Sequence, residues 1–134
     1  TLPSGAEEPL VGESGQAAPV NFSALREFEE MMGEGGAEMV RDLVNMYLQN
    51  STALIAEMHS SKAQANFEVL HRAAHTLKGN SHQVGAVPLA EHCAELEKLV
   101  KAAILEGADA LLTQIQAEYQ RVNAALQKYI QNLS

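Results

Sequence analysis

Apolar residues recur along most of this chain in steps of three and four, the spacing that lines one face of an α-helix. Met39, Val40, Leu43, Met46, Tyr47, Leu54 and Met58 form one such series, which predicts a long helix that turns these side chains inward and ends by Ser60 or Ser61. Ahead of it, Asn21 or Ser23 can cap a short helix that runs through Phe28 to Met32 and stops at Gly33-Glu34-Gly35-Gly36. After it, Asn66 is placed to cap a helix carrying Leu70, Ala73, Leu77 and Val84 to a stop at Gly85. Pro88 then falls in the first turn of a successor, where a missing N–H costs little, and Leu89, Cys93, Leu96, Val100 and Ala103 make that successor's stripe. Gly107 is expected to end it and Asp109 to cap the last helix, whose stripe is Leu112, Ile115, Tyr119, Val122, Leu126 and Ile130.

Four long amphipathic helices with short connections pack most simply as an antiparallel up-down bundle, every stripe inward, with the short additional N-terminal helix lying across one end. The expected class is therefore all-α. A coiled-coil dimer fits less well, because Gly and Pro interrupt the stripes and no heptad series runs on unbroken. Residues 1–20, with three prolines, three glycines and no sustained periodicity, read as a flexible linker or tail, and 21–134 as the domain.

Composition agrees with this picture. Of 134 residues, 46% are apolar but only 4% aromatic, a balance of Leu, Ala, Val and Met that favours helices. The net charge of −8 disfavours nucleic acid and anionic lipid as main partners, since both require a face rich in lysine and arginine. The charge is uneven: residues 1–65 hold ten acidic side chains against three basic ones, whereas 66–101 hold four of each, so this second stretch repels a phosphate least. One cysteine cannot form an internal disulfide, and Cys93 reads as a small core residue. There is neither an apolar run long enough to span a bilayer nor a signal peptide, so direct membrane insertion is not expected and a cytoplasmic setting fits. The chain starts with Thr1 and is read as a piece of a longer protein.

The chemistry concentrates on the helix after Asn66. At about 100° per residue, His71, His75, Lys78, Gly79 and His82 fall within one arc roughly 100° wide, opposite Leu70, Ala73, Leu77 and Val84. An imidazole ordinarily titrates near about 6.5, so at neutral pH it is mostly the free base, a competent nucleophile toward phosphorus. Lys78, one turn on from His75, is close enough to neutralise a phosphoryl oxygen. Either residue alone would be ordinary surface. Gly79 is harder to dismiss, because glycine in an exposed helix interior costs about 1 kcal/mol relative to Ala. The compensation can be access for another protein's backbone beside His75, or alternatively a kink or a close helix contact. Asn80 and Ser81 fall toward the interior and are expected to bond backbone or water there. On the next helix Glu97 and Lys101 sit at the edge of the core stripe. If the two helices are antiparallel neighbours, the Glu97 carboxylate could accept a hydrogen bond from one nitrogen of His75, leaving the other deprotonated and outward. Lys101 could add positive charge, or simply be a solvated flank.

The set His75-x-Leu77-Lys78-Gly79-x-Ser81-x-x-Val84-Gly85-Ala86, followed by Leu89, Cys93 and Leu96-Glu97, closely resembles the histidine-containing phosphotransfer (HPt) domain family. Asn80 stands where that family usually has a small residue, a departure that leaves the chemistry untouched. The resemblance implies a carrier in a multistep His–Asp phosphorelay of two-component signalling. His75 would be phosphorylated by the aspartyl phosphate of one receiver domain and would pass the group to another receiver's aspartate. Lys78 would steady the phosphoryl charge, Gly79 would admit the receiver's loops and Glu97 would orient the histidine. The face formed by His71, Lys78, Gly79, His82 and Lys101 would bind the receiver. The partners implied are receiver domains of response regulators or of a hybrid sensor kinase. The chain would act as a monomer with no cofactor or metal of its own, the receiver bringing Mg²⁺. The resemblance also places such domains at the C-terminal end of membrane-anchored hybrid sensor histidine kinases. The chain itself would not be an enzyme, since it has no glycine-rich nucleotide-binding segment and no room for an ATP-binding domain beside the bundle. Two other readings compete: a helical interaction module without chemistry, and a metal-binding bundle using His71, His75 and His82. Lys78 within the same arc would repel a cation and weighs against the second.

Overall fold

The structure is a computed structural model that describes residues 18–133. It contains α1 (Ser23–Met32), α2 (Gly36–Ala63), α3 (Phe67–Val84), α4 (Val87–Lys101) and α5 (Ala108–Gln131), and among the described residues there is no strand. Helices α2 to α5 each pack on their neighbour in sequence, and α5 closes back on α2, giving the four-helix bundle expected. Side-chain bonds fix the directions. Arg41 near the start of α2 donates to the Leu133 carbonyl past the end of α5, while Thr52 and Tyr119, midway along each helix, lie 3.1 Å apart through their hydroxyls. Lys62 at the end of α2 pairs with Asp109 at the start of α5 at 2.8 Å, so the two helices run antiparallel.

Helix α1 packs on α2 and touches α3, and Phe22 just before it stacks on Tyr129 of α5 with ring centroids 4.6 Å apart. Asn21 Oδ1 accepts from the Ser23 amide at 3.0 Å, but the capping position is Phe22, not the expected Asn21 or Ser23, and it has no side-chain cap; Gly33, at φ +61°, ends the helix as expected. The expectation of a tail over residues 1–17 lies outside the described residues. Residues 18–20 are described, and Val20 is buried in the core, because the Asn21 amide donates to the Gly85 carbonyl at 2.9 Å and pins the chain there.

Three further expectations need correction. In α2 the buried face is Val40, Val44, Tyr47, Leu48, Ser51, Ile55 and Met58, whereas Met39, Leu43 and Met46 are exposed and Leu54 is only half-buried. The helix carries two apolar stripes roughly a quarter-turn or more apart. The one that also holds Val44, Leu48 and Ile55 faces α3 and α5, and spacing alone does not distinguish them. Helix α4 ends at Lys101 rather than at Gly107, with Ala103 exposed at φ +59° and the Ile104 amide bonded to the Leu99 carbonyl at 2.8 Å. Gly107 instead precedes α5 at φ +90°, and Asp109 sits in that helix's first turn, not at its cap.

The remaining stripes are buried as expected: Leu70, Ala73, Leu77 and Val84 on α3, Leu89, Cys93, Leu96 and Val100 on α4, and the whole α5 series. Burial pushes the Cys93 thiol up to about 12, and the neighbouring Glu97 charge adds to this, which keeps it an inert core group. No helix among the described residues is long and apolar enough to cross a membrane.

Candidate functional site

The site is made by the hairpin of α3 and α4. Asn66 starts α3 by accepting from the Val69 amide at 3.3 Å, a cap worth about 1 kcal/mol. Gly85 ends it in the left-handed conformation at φ +86°, with the Ala86 amide returned to the Ser81 carbonyl at 2.8 Å. A side chain at position 85 would run into the Asn21 backbone, so only glycine closes this turn. Two residues, Gly85 and Ala86, thus suffice to fold α4 back along α3. His75 lies ten residues before the turn and Glu97 eleven after it, which sets them level across the interface.

The meeting is close. His75 Nδ1 lies 2.8 Å from Glu97 Oε2. The Lys78 ammonium lies 2.7 Å from the other carboxylate oxygen, Oε1. His71 Nε2 is 3.5 Å from the same Oε2 that His75 contacts. Exposure divides the roles: the His75 side chain is 64% exposed, that of Glu97 only 13%. Burial alone would raise the Glu97 carboxyl, but the hydrogen bonds and charges of Lys78 and His75 outweigh it and hold the group below its usual range. An ionised carboxylate only accepts, so Nδ1 of His75 carries the proton and, in the neutral ring, Nε2 is left with its lone pair. The arrangement presents a nucleophilic nitrogen to solvent on a ring fixed from behind.

Around the ring lies an open groove of about 680 Å³ between α3 and α4, lined by Glu68, His71, Arg72, His75, Lys78, Ala94, Glu97, Lys98 and Lys101. It holds four Lys and Arg side chains against two carboxylates in a chain whose net charge is −8, a local excess that suits a phosphoryl group.

Of the residues singled out from sequence, the structure brings together His71, His75, Lys78, Glu97 and Lys101. Gly79 is exposed one turn beyond His75, and a Cβ there would meet nothing within 4 Å, so no close helix contact explains this glycine. His82 is exposed in the last turn of α3 and does not line the groove. Ser81 is buried as expected, but its 2.8 Å hydrogen bond is to the Tyr47 hydroxyl and not to the backbone or water expected, while Asn80 is half-buried. Sequence reasoning missed Arg72 and Lys98 as groove residues, and it missed the pairing of Lys78 with Glu97. The available signal was the mirrored spacing about Gly85-Ala86, which sets His75 level with Glu97 and Lys78 one turn nearer the loop, within reach of the same carboxylate. Among the described residues no group of three or more His, Cys, Asp or Glu side chains is arranged to hold a metal ion. The carboxylate that could join His71 and His75 has an ammonium on its other oxygen.

Comparison with known proteins points to one family. Residues 42–125 match the family model described as Hpt domain. Histidine-containing phosphotransfer protein 2 of Arabidopsis thaliana is 24% identical over 104 residues, which is 75% of this chain and 67% of that protein. Histidine-containing phosphotransfer protein 5 of the same plant is 28% identical over 109 residues, 79% of this chain and 68% of that protein. Among solved structures, histidine-containing phosphotransfer protein B from Pseudomonas aeruginosa PAO1 superposes with a TM-score of 0.78 at 25% identity, covering 89% of this chain and 100% of that one. A rice protein described as a putative histidine-containing phosphotransfer protein shares the fold, with a TM-score of 0.72 at 18% identity over 85% of this chain and 82% of its own.

Proposed function

The chain belongs to the Hpt domain family and serves as a carrier in a His–Asp phosphorelay, and we propose that Nε2 of His75 is the atom that bears the phosphoryl group. In the acceptance step the Nε2 lone pair forms a bond to the phosphorus of a receiver's aspartyl phosphate. The P–O bond to the aspartate breaks, its electron pair leaving on that carboxylate, and the return step reverses this onto a second receiver's aspartate. Nδ1 keeps its proton throughout. Glu97 stabilises the positive charge that develops on the ring as the N–P bond forms, and Lys78, held beside it, offers its charge to the phosphoryl oxygens. Transfer of this kind needs positioning and charge stabilisation more than covalent assistance, so few side chains suffice.

The observation that carries the assignment is the 2.8 Å contact of Nδ1 with a mostly buried carboxylate on a ring that is itself 64% exposed. Gly79, bare beside that ring, would admit the partner's backbone. Receiver domains are the partners of this reading, whether of separate response regulators or of a hybrid sensor kinase that contains the chain, and the receiver would bring the Mg²⁺ for its own aspartate. His71, Arg72, Lys98 and Lys101 would line the docking groove, with His82 at its outer margin. A cytoplasmic site of action and a monomeric domain follow from the same role.

The test is incubation with a receiver phosphorylated on its aspartate. Wild type should acquire an acid-labile, alkali-stable label, ATP alone should give none, and His75→Gln should stay unlabelled. Labelling of His75→Gln at the wild-type level would exclude His75 as the carrier.

A further inference from the structure

Glu97 Oε2 serves two imidazoles. His71 is one turn before His75 on α3, and the two rings lie nearly parallel, 7° apart in plane with centroids 6.4 Å apart. Their nitrogens converge on one oxygen, His75 Nδ1 at 2.8 Å and His71 Nε2 at 3.5 Å. The other oxygen is held by Lys78 at 2.7 Å, so the carboxylate cannot turn to give each ring an oxygen of its own. His71 is 39% exposed and open to protons from solvent.

We propose that His71 is a positioning residue for phosphoryl transfer: its protonation draws Glu97 Oε2 away from His75 Nδ1, so that acceptance by His75 is governed by two protons rather than one. The proposal rests on His75 being the carrier.

The physical argument is competition for one acceptor. A neutral His71 contributes at most a long, weak contact at 3.5 Å, and the short bond belongs to His75. A protonated His71 forms a charge-assisted bond to the same oxygen, of the kind that shortens and strengthens relative to a neutral one. Glu97 then moves toward the preceding turn of α3. The His75 ring loses its anchor, and the charge developing on it during attack loses part of its counter-charge. Protonation of His75 itself removes the nucleophile directly, which is the first proton. Protonation of His71 is the second. The other charged groups facing this pair are Glu68 and Arg72 on α3 and Lys98 and Lys101 on α4.

The experiment measures the single-turnover rate of phosphoryl acceptance from one phosphorylated receiver between about pH 5 and about pH 8. Wild type, His71→Asn and His75→Gln are compared at each pH, so that the receiver's own titration cancels in the ratio. Because His71 also lines the docking groove, each protein's rate is expressed relative to its own alkaline-end value. Toward the acid end the relative rate of His71→Asn should exceed that of wild type several-fold, the logarithm of its rate falling with a slope of about one where that of wild type approaches about two. A ratio constant across the range would overturn the proposal, since a merely structural His71 changes the rate equally at every pH. As a second readout, the ¹⁵N-labelled His75 Nδ1–H signal should broaden and vanish at a higher pH in wild type than in His71→Asn, and coincident behaviour would also overturn it. Label on His75→Gln would instead sink the carrier assignment, so the two failures are distinguishable.

Discussion

Replacing Gly79 should make the protein more stable and a worse carrier at once. The residue lies in the interior of α3, exposed, with helical backbone geometry, and a Cβ built on it meets nothing within 4 Å. Gly79→Ala therefore removes the glycine penalty without introducing a clash, a gain of about 0.5 to 1 kcal/mol. In a bundle of this size that corresponds to a rise in Tm of roughly 2 to 6 °C, readable by circular dichroism. Any loss of function must then come from outside the fold. Position 79 is one turn from His75 on the exposed face, where a partner has to approach until its phosphoryl lies against Nε2. A methyl group there should slow single-turnover transfer from a phosphorylated receiver by about tenfold, equivalent to about 1.4 kcal/mol in the barrier. Gly79→Leu should slow it further with helicity unchanged or increased. A folded Gly79→Leu that accepts phosphoryl at the wild-type rate would refute the access argument while leaving His75 in place. A destabilised Gly79→Ala would show that the glycine serves the fold.

Three further outcomes follow from the geometry. Tyr47→Phe and Ser81→Ala each strand one partner of the buried 2.8 Å hydroxyl pair and should cost about 1 to 3 kcal/mol in urea unfolding, the double variant costing less than the sum. Gly85→Ala combines a left-handed backbone at φ +86° with a collision against the Asn21 backbone, and should destabilise by more than about 2 kcal/mol, opening the α3–α4 turn on which the site depends. Because the folded state depresses the Glu97 carboxyl, its contribution is fully present above the unfolded value near about 4.3 and is lost as pH falls through the lower folded value. The stability difference between wild type and Glu97→Gln, measured by urea unfolding, should therefore shrink as pH falls below about 4.3.

The legible parts of the sequence were those in which a single local force decides. Asn66 and Gly85 bound α3 because a cap and a left-handed stop are local events, and the α5 stripe was unambiguous because it has no apolar rival on another face. Helix α2 had a rival. Met39, Leu43 and Met46 obey helical spacing as well as Val40, Val44 and Tyr47 do, and the choice between the stripes was made by α3 and α5, elements distant in sequence. The end of α4 was misplaced for a related reason: Ala103 takes a positive φ with no glycine to announce it. At the site, residues whose role depends on one helix were visible, namely His75 and Gly79. Arg72, Lys98 and the Lys78–Glu97 pair depend on how two helices abut, which becomes readable only once the two-residue turn fixes their register.

A carrier must release its phosphoryl group as readily as it takes it, and the asymmetry of the site meets that demand. Glu97 holds the His75 ring at Nδ1, and the side chain is otherwise 64% exposed. This lowers the energy of the charged ring formed on attack, yet leaves the N–P bond to be formed on a nitrogen with open space around it. The cations sit along a groove and do not close into a cage, and one of them, Lys78, is already committed to the carboxylate. A protein that enclosed the phosphoryl would bind it deeply and slow its return. If His75 carries the phosphoryl, an open groove would stabilise it only modestly, and a partner docked over Gly79 would have to supply the remaining positioning and set the direction of transfer.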